Sequence, residues 1–214
     1  MNLQKNQQFL QLLRPDAVIH MNGTRVEIDG VVLYEELLDS TYVKAIIDRA
    51  YDLDWCIGIS QDSIMYTTNN QKIIDMDTKY FGHCDRTFRD IREILNKEFH
   101  SLIVYEDSES IDTMAKEFPM LSFAKFTQNF GADIFPLNLS KATGMSFLLT
   151  HWSYEFKDVI SVGDSMNDYE ILQKSGIGIA MGNADETLKK IADIVTDDIG
   201  EDGILNAFTR LGMI

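Results

Sequence analysis

The sequence predicts an α/β fold: a core of short parallel strands carrying a large inserted α/β unit. Three features of the 214-residue chain predict it. Val159 to Val162 form a short apolar run passing directly into Gly163 and Asp164, the pattern of a strand buried on both faces that ends in a tight turn. Strand-like and helix-like segments then alternate to the C-terminus. A stretch of mixed strands and helices, residues 24–136, separates this region from an apolar strand at Asp16 to Met21. The core is therefore expected over 1–23 and 137–214, with 24–136 as a second α/β unit acting as a lid.

Taken in order, Met1 to Leu13, with Phe9, Leu10, Leu12 and Leu13 apolar, reads as a helix and Asp16 to Met21 as a core strand. Arg25 to Ile28 and Val31 to Tyr34 flank Asp29-Gly30, a two-residue hairpin turn. Tyr42, Ile46, Ile47 and Ala50 sit at helical spacing, as do Phe88, Ile91, Ile94 and Leu95. Strands are expected at Trp55 to Ser60, Ile64 to Thr67, Leu102 to Tyr105, Ser122 to Phe126 and Asp133 to Leu137. In the second core segment, helices are expected at Ser140 to Trp152, from about Asn167 to Lys174, at Ala184 to Ala192 and at Ile204 to Leu211. Strands are expected there at Val159 to Val162, Ile177 to Met181 and Ile194 to Thr196.

Bulk properties narrow the function. Hydrophobic residues make up 45% of the chain, ordinary for a sequence that buries a core. A formal net charge of −15 repels phosphate backbones, so nucleic acid is a poor partner, while the same charge suits recruitment of Mg²⁺. Cys56 and Cys84 have no metal-ligand spacing and suggest no disulfide framework. No apolar run approaches the roughly 20 residues that span a bilayer, and the first residues lack the pattern of a signal peptide. A cytoplasmic protein without membrane partners is the expectation.

The chemistry concentrates in Gly163-Asp164-Ser165-Met166-Asn167-Asp168. In open α/β sheets ligands bind at the carboxyl ends of strands. A carboxylate fixed there, with a second one four residues later, therefore points to Mg²⁺ or phosphate. The competing interpretation is that Asp164 or Ser165 only caps the following helix. Lys141, just after a turn, is placed to offer an ammonium to a phosphate oxygen. Asn183, in a loop after an apolar strand, either reaches the ligand or caps the next helix. None of the histidines, His20, His83, His100 and His151, gathers with others in the sequence, and none is assigned.

These residues occur in an order that resembles the haloacid dehalogenase (HAD) superfamily, most closely the Cof-type phosphatases of subfamily IIB. Ser140-Lys141 matches the third motif of that family and Gly163 to Asp168 the fourth. Gly176-Ile177-Gly178-Ile179-Ala180-Met181-Gly182-Asn183-Ala184 matches the segment that follows one helix later. Asn22-Gly23 matches the start of the family's cap, Asp29-Gly30 its first hairpin, and Glu201-Asp202-Gly203 the approach to the last helix. The resemblance implies a HAD-like Rossmannoid core with an α/β cap that selects among small phosphorylated metabolites, and it implies Mg²⁺ as cofactor. By the same resemblance Lys141 and Asp168 are catalytic, and Asp164 and Asp168 belong to the metal site, Asp168 orienting Lys141 or a metal-bound water. Asn22, Gly23, Lys141, Ser165, Asn167 and Asn183 are assigned to substrate or phosphate.

Members of that family open with a strand ending in Asp-x-Asp-Gly-Thr, whose first Asp is the nucleophile, and then a second strand ending in Thr or Ser. Neither precedes Met1 to Leu13, so the expectation is an incomplete core lacking those strands, and a chain that is inactive alone. The favoured reading is a truncated form of an active phosphatase; the alternatives are a degenerate binding or regulatory module and a chain whose nucleophile comes from a segment supplied in trans, and an oligomer is the other partner the sequence leaves open. Ile73-Ile74-Asp75-Met76-Asp77-Thr78 and Cys56-Ile57-Gly58-Ile59-Ser60 imitate the two missing motifs, but both fall in the insertion and in the wrong order. They are expected to be ordinary strand and loop.

Overall fold

The computed structural model describes residues 10–61, 63–126 and 130–214, in which three sheets form. The first is an antiparallel meander of β1 (Ala17–His20), β2 (Arg25–Ile28) and β3 (Val31–Glu35). Asp29 and Gly30 both adopt positive φ, 50° and 77°, as the expected two-residue hairpin demands. Tyr34 stacks on Phe147 with ring centroids 3.9 Å apart, fixing the meander on the helix α4 (Lys141–Trp152).

The second sheet has six strands: β4 (Ile57–Gln61), β5 (Ile64–Thr67), β6 (Thr87–Asp90), β7 (Leu102–Val104), β8 (Leu121–Lys125) and β9 (Ala132–Pro136). Their spatial order is β6-β5-β4-β7-β9-β8, with β5 and β6 parallel and the remaining pairs antiparallel. Helix α1 (Ser40–Leu53) buries Ile46, Ile47 and Ala50 as their spacing anticipates, but the stripe is completed by Val43, while Tyr42 is exposed. Asp39 caps it by accepting from the Thr41 amide at 2.7 Å. With Ile57, Leu102, Ile111 and Ile134 these side chains form the largest apolar cluster, so residues 38–134 bury a core of their own.

The third sheet is parallel and short: β10 (Ile160–Gly163), β11 (Ile177–Ala180) and β12 (Ile194–Val195), in that order. Helices α4, α5 (Tyr169–Lys174) and α6 (Glu186–Ile191) pack on it through Ala142, Leu172 and Leu188, and α7 (Gly203–Arg210) follows β12. Strand β1 pairs with β2 and not with β10, so among the described residues β10 forms an edge.

Two local expectations fail, for identifiable reasons, and one helix was not anticipated. Asn70–Phe81 is a helix, α2, where strand and loop were expected; Asn69 caps it by accepting from the Lys72 amide, and Gly82 ends it at φ 80°. Conversely, the helical spacing of Phe88, Ile91, Ile94 and Leu95 conceals strand β6 followed by a single 3₁₀ turn at Ile91–Ile94. A third helix of the insertion, α3 (Ser108–Glu117), has no counterpart among the expectations; Asp107 caps it through the Ser110 amide. Residues 10–13 are helical, and the rest of the helix expected at Met1 to Leu13 falls outside the described residues.

Candidate active site

Strand β10 delivers Asp164 at its carboxyl end, and the register with β11, Gly163 opposite Ala180, brings the loop after β11 alongside. The Met181 amide donates to the Gly163 carbonyl at 2.9 Å, closing the two loops together. Residues 166–168 then form one 3₁₀ turn that leads into α5. Asp168 is buried, and its Oδ2 accepts from the amides of Asp164 and Ser165, each at 3.2 Å. Of the two residues weighed as caps, Ser165 is the N-cap of this turn, in a capping box with Asp168, whose carboxylate reaches back to the Ser165 amide. Gly163 is required for this curl: a Cβ there would lie 2.5 Å from the Asp168 Cβ.

Asp168 Oδ1 faces a different partner. Lys141 is the first residue of α4, and its Nζ donates to that oxygen at 2.6 Å. Ser140 sets the start of α4 through a capping box with Thr143: the Ser140 hydroxyl accepts from the Thr143 amide at 3.1 Å and the Ser140 amide donates to the Thr143 hydroxyl at 2.8 Å. The Ser140 hydroxyl also donates to Glu170. Burial pushes the Glu170 carboxyl up, but Lys174 and Ser140 outweigh it and hold the group below its ordinary value.

Asp164 is exposed, and its Oδ2 accepts from Asn183 Nδ2 at 3.2 Å. The helix-capping function weighed for Asn183 belongs to Asp185, which accepts from the Thr187 amide, while Asn183 Oδ1 accepts from the Ile199 amide. Asn22, at φ 58°, donates to Asp133 Oδ2 of β9 at 2.9 Å and accepts from Asn167 Nδ2, also at 2.9 Å. Gly23 packs on the first turn of α4, where a Cβ would fall 2.1 Å from the Ser140 carbonyl oxygen; its φ of 95° independently favours glycine.

Between α4, the 3₁₀ turn and the six-stranded sheet lies a cavity of about 340 Å³ lined by Asn22, Ala124, Phe135, Lys141, Asn167 and Tyr169, among others. The cluster thus gathers Lys141, Asp164, Asp168, Asn22, Asn167 and Asn183 from four separate parts of the chain. Asp133 and Glu170 join it without having been singled out in the sequence. Burial pushes the Asp133 carboxyl up, opposed by the Asn22 hydrogen bond and the charge of Lys141. The sequence signal for Asp133 was a lone carboxylate in an otherwise apolar strand. The two imitations of the missing motifs lie elsewhere. Asp75 bonds to Gln71 on α2, Asp77 forms a bidentate pair with Arg86, and Cys56 is a buried thiol that burial pushes up to about 11.

Asp164 supplies the hard anionic oxygen that Mg²⁺ takes; one or two carboxylates plus water and substrate phosphate are its usual complement. Asp168 has both oxygens already engaged by donors. Among the described residues, no group of three or more His, Cys, Asp or Glu side chains is placed to hold a metal ion. None of the described helices is long and apolar enough to cross a membrane.

A sheet-end carboxylate, a helix-borne lysine and an overlying α/β unit define a class of phosphoryl-handling hydrolases. The profile of the haloacid dehalogenase-like hydrolase family matches residues 2–208, and the chain belongs to that family. It is 28% identical to the YkrA protein of Bacillus subtilis over 96% of this chain and 79% of that one. It is also similar to BT1666, a HAD phosphatase of Bacteroides thetaiotaomicron, with a TM-score of 0.87, 25% identity and coverage of 100% of this chain and 80% of that one. The subclass IIB sugar phosphatase BT4131 shares the fold with a TM-score of 0.83 and 24% identity, over 98% of this chain and 81% of that one.

Proposed function

We propose that this chain carries the Mg²⁺- and phosphate-handling part of a phosphomonoester hydrolase acting on small phosphorylated metabolites, with sugar phosphates such as those named for BT4131 as the first class to test. The observation that carries this proposal is the placement of Lys141, held by Asp168 at 2.6 Å, at the loop that presents Asp164 at the end of β10. Asp164 would hold Mg²⁺ together with phosphate oxygens, and the bound ion would supply charge neutralisation at those oxygens. Lys141 binds a phosphoryl oxygen from a fixed position, because Asp168 is itself tied to the Asp164 and Ser165 amides. Asn183 orients the Asp164 carboxylate. The six-stranded unit contributes Ala124 and Phe135 to the wall of the cavity.

The aspartyl-phosphate route also needs a carboxylate free to attack phosphorus. Asp168 is committed to Lys141 and two amides, and Asp164 in this reading to the ion, so neither is that carboxylate, and the expectation is that phosphorylated ligands bind without hydrolysis. A phosphate-release assay with a panel of sugar phosphates and Mg²⁺ tests this: release should stay at background. Robust release that survives Asp164→Ala and dies with Asp75→Asn would overturn these roles.

A further inference from the structure

The bond from Asn22 to Asp133 has a directional consequence. An ionised carboxylate only accepts hydrogen bonds, whereas an amide side chain has one accepting and one donating end. Asp133 therefore forces the Nδ2 end of Asn22 toward itself, at 2.9 Å. That leaves Asn22 Oδ1 facing Asn167, which must answer with its own Nδ2, again at 2.9 Å. The orientation of both amides follows from one acid on β9, a strand of the six-stranded sheet. The chain of dependence ends at Asn167 Oδ1, which is buried and has no hydrogen-bond partner among the described residues. An orphaned buried acceptor is costly, so it favours any donor that fits. Asn167 lines the cavity that also exposes Lys141 and Tyr169.

We propose that Asp133 is a positioning residue that, through Asn22, turns the carbonyl oxygen of Asn167 to receive a hydroxyl of the phosphorylated ligand bound in this cavity. This rests on the phosphate-handling role given above to Lys141, and it adds a specificity: ligands with a hydroxyl at that position are preferred over those without one. Asn22 is only 7% exposed, and three consecutive residues there, Met21, Asn22 and Gly23, hold positive φ, so the middle member of the relay has little freedom to turn otherwise.

The test has two readouts on the wild-type chain and on Asp133→Ala and Asp133→Asn. The first is NMR of the side-chain amides. Asp133→Ala should move the Asn22 amide signals and also those of Asn167, which does not itself bond to Asp133; Asn167 signals that stay in place would overturn the relay. Asp133→Asn preserves shape but permits either polarity, so it should shift the same signals without loss of fold. The second readout is binding of two probes with Mg²⁺ present, inorganic phosphate and sorbitol 6-phosphate. Asp133→Ala should weaken sorbitol 6-phosphate about tenfold more than inorganic phosphate, with Asp133→Asn intermediate, one good hydrogen bond being worth about a factor of ten. Equal weakening of both probes would sink the positioning role and leave the phosphate site standing. Wild-type protein that binds neither probe would overturn the phosphate site, and the inference with it.

Discussion

Lys141 Nζ lies 2.6 Å from Asp168 Oδ1, while the other oxygen of the same carboxylate accepts from the two backbone amides that follow β10. One buried acid therefore fixes both the cation on α4 and the loop that presents Asp164. Removing it should disturb two things at once. Asp168→Ala is expected to lower stability by about 1–3 kcal/mol, the cost of leaving buried donors unsatisfied, measured as a reduced urea midpoint with unchanged m. Asp168→Asn keeps one accepting oxygen and should lose less stability but most of the phosphate affinity.

Gly163→Ala probes the same arrangement from the backbone side. Its new Cβ would press on Asp168 at 2.5 Å and on the carboxyl carbon at 2.6 Å, so the turn must open and the Lys141 contact must lengthen. The expected cost is about 1–3 kcal/mol of overpacking, with a loss of phosphate binding comparable to that of Asp168→Ala. Retention of wild-type binding would show that the turn has slack.

Acid should weaken the helix caps of the inserted unit. Asp107 is held below the ordinary carboxylate value by hydrogen bonds from the Ser110 amide, and Asp39 likewise by Thr41. A depressed folded value means that the carboxylate form is favoured by folding. Its contribution is therefore fully present above the unfolded value of about 3.9 and is lost as pH falls through the folded value. The Tm difference between wild type and Asp107→Ala should be constant from neutral pH down to about 5 and shrink below about 4.

Hydrogen exchange should distinguish the sheets. Strand β7 lies between β4 and β9 in the six-stranded sheet, whereas β10 is bonded on one side only among the described residues. Amides of Leu102–Val104 and Ile57–Gln61 should exchange more slowly than those of Ile160–Gly163. Equal, strong protection in a monomer would show that the short parallel sheet closes on itself.

Where sequence pattern and packing agree, the elements could be read in advance. Strand β10 follows from an apolar run closed by Gly163, and α4 occupies the segment expected to be helical from Ser140 to Trp152. Strand β6 is mostly exposed and has no apolar face to advertise it, so the neighbouring Ile91 and Ile94, buried from a 3₁₀ turn, mimic a helix. Helix α2 is set by its ends, Asn69 and Gly82, more than by any apolar stripe. Lys141, Asp164 and Asp168 could be named because each sits at a local signature. Asp133 could not, since its role depends on Asn22, 111 residues away in the chain.

The most direct measurement of the phosphate site is a phosphorus NMR titration of inorganic phosphate with the wild-type chain, with and without Mg²⁺, and with Asp164→Ala and Lys141→Ala. With one protein carboxylate at the ion, Mg²⁺ itself should bind weakly, on the order of millimolar. Phosphate should bind measurably only when Mg²⁺ is present and should be lost in both variants. Phosphate binding that is independent of Mg²⁺ and undiminished by both substitutions would contradict the assignment of this site.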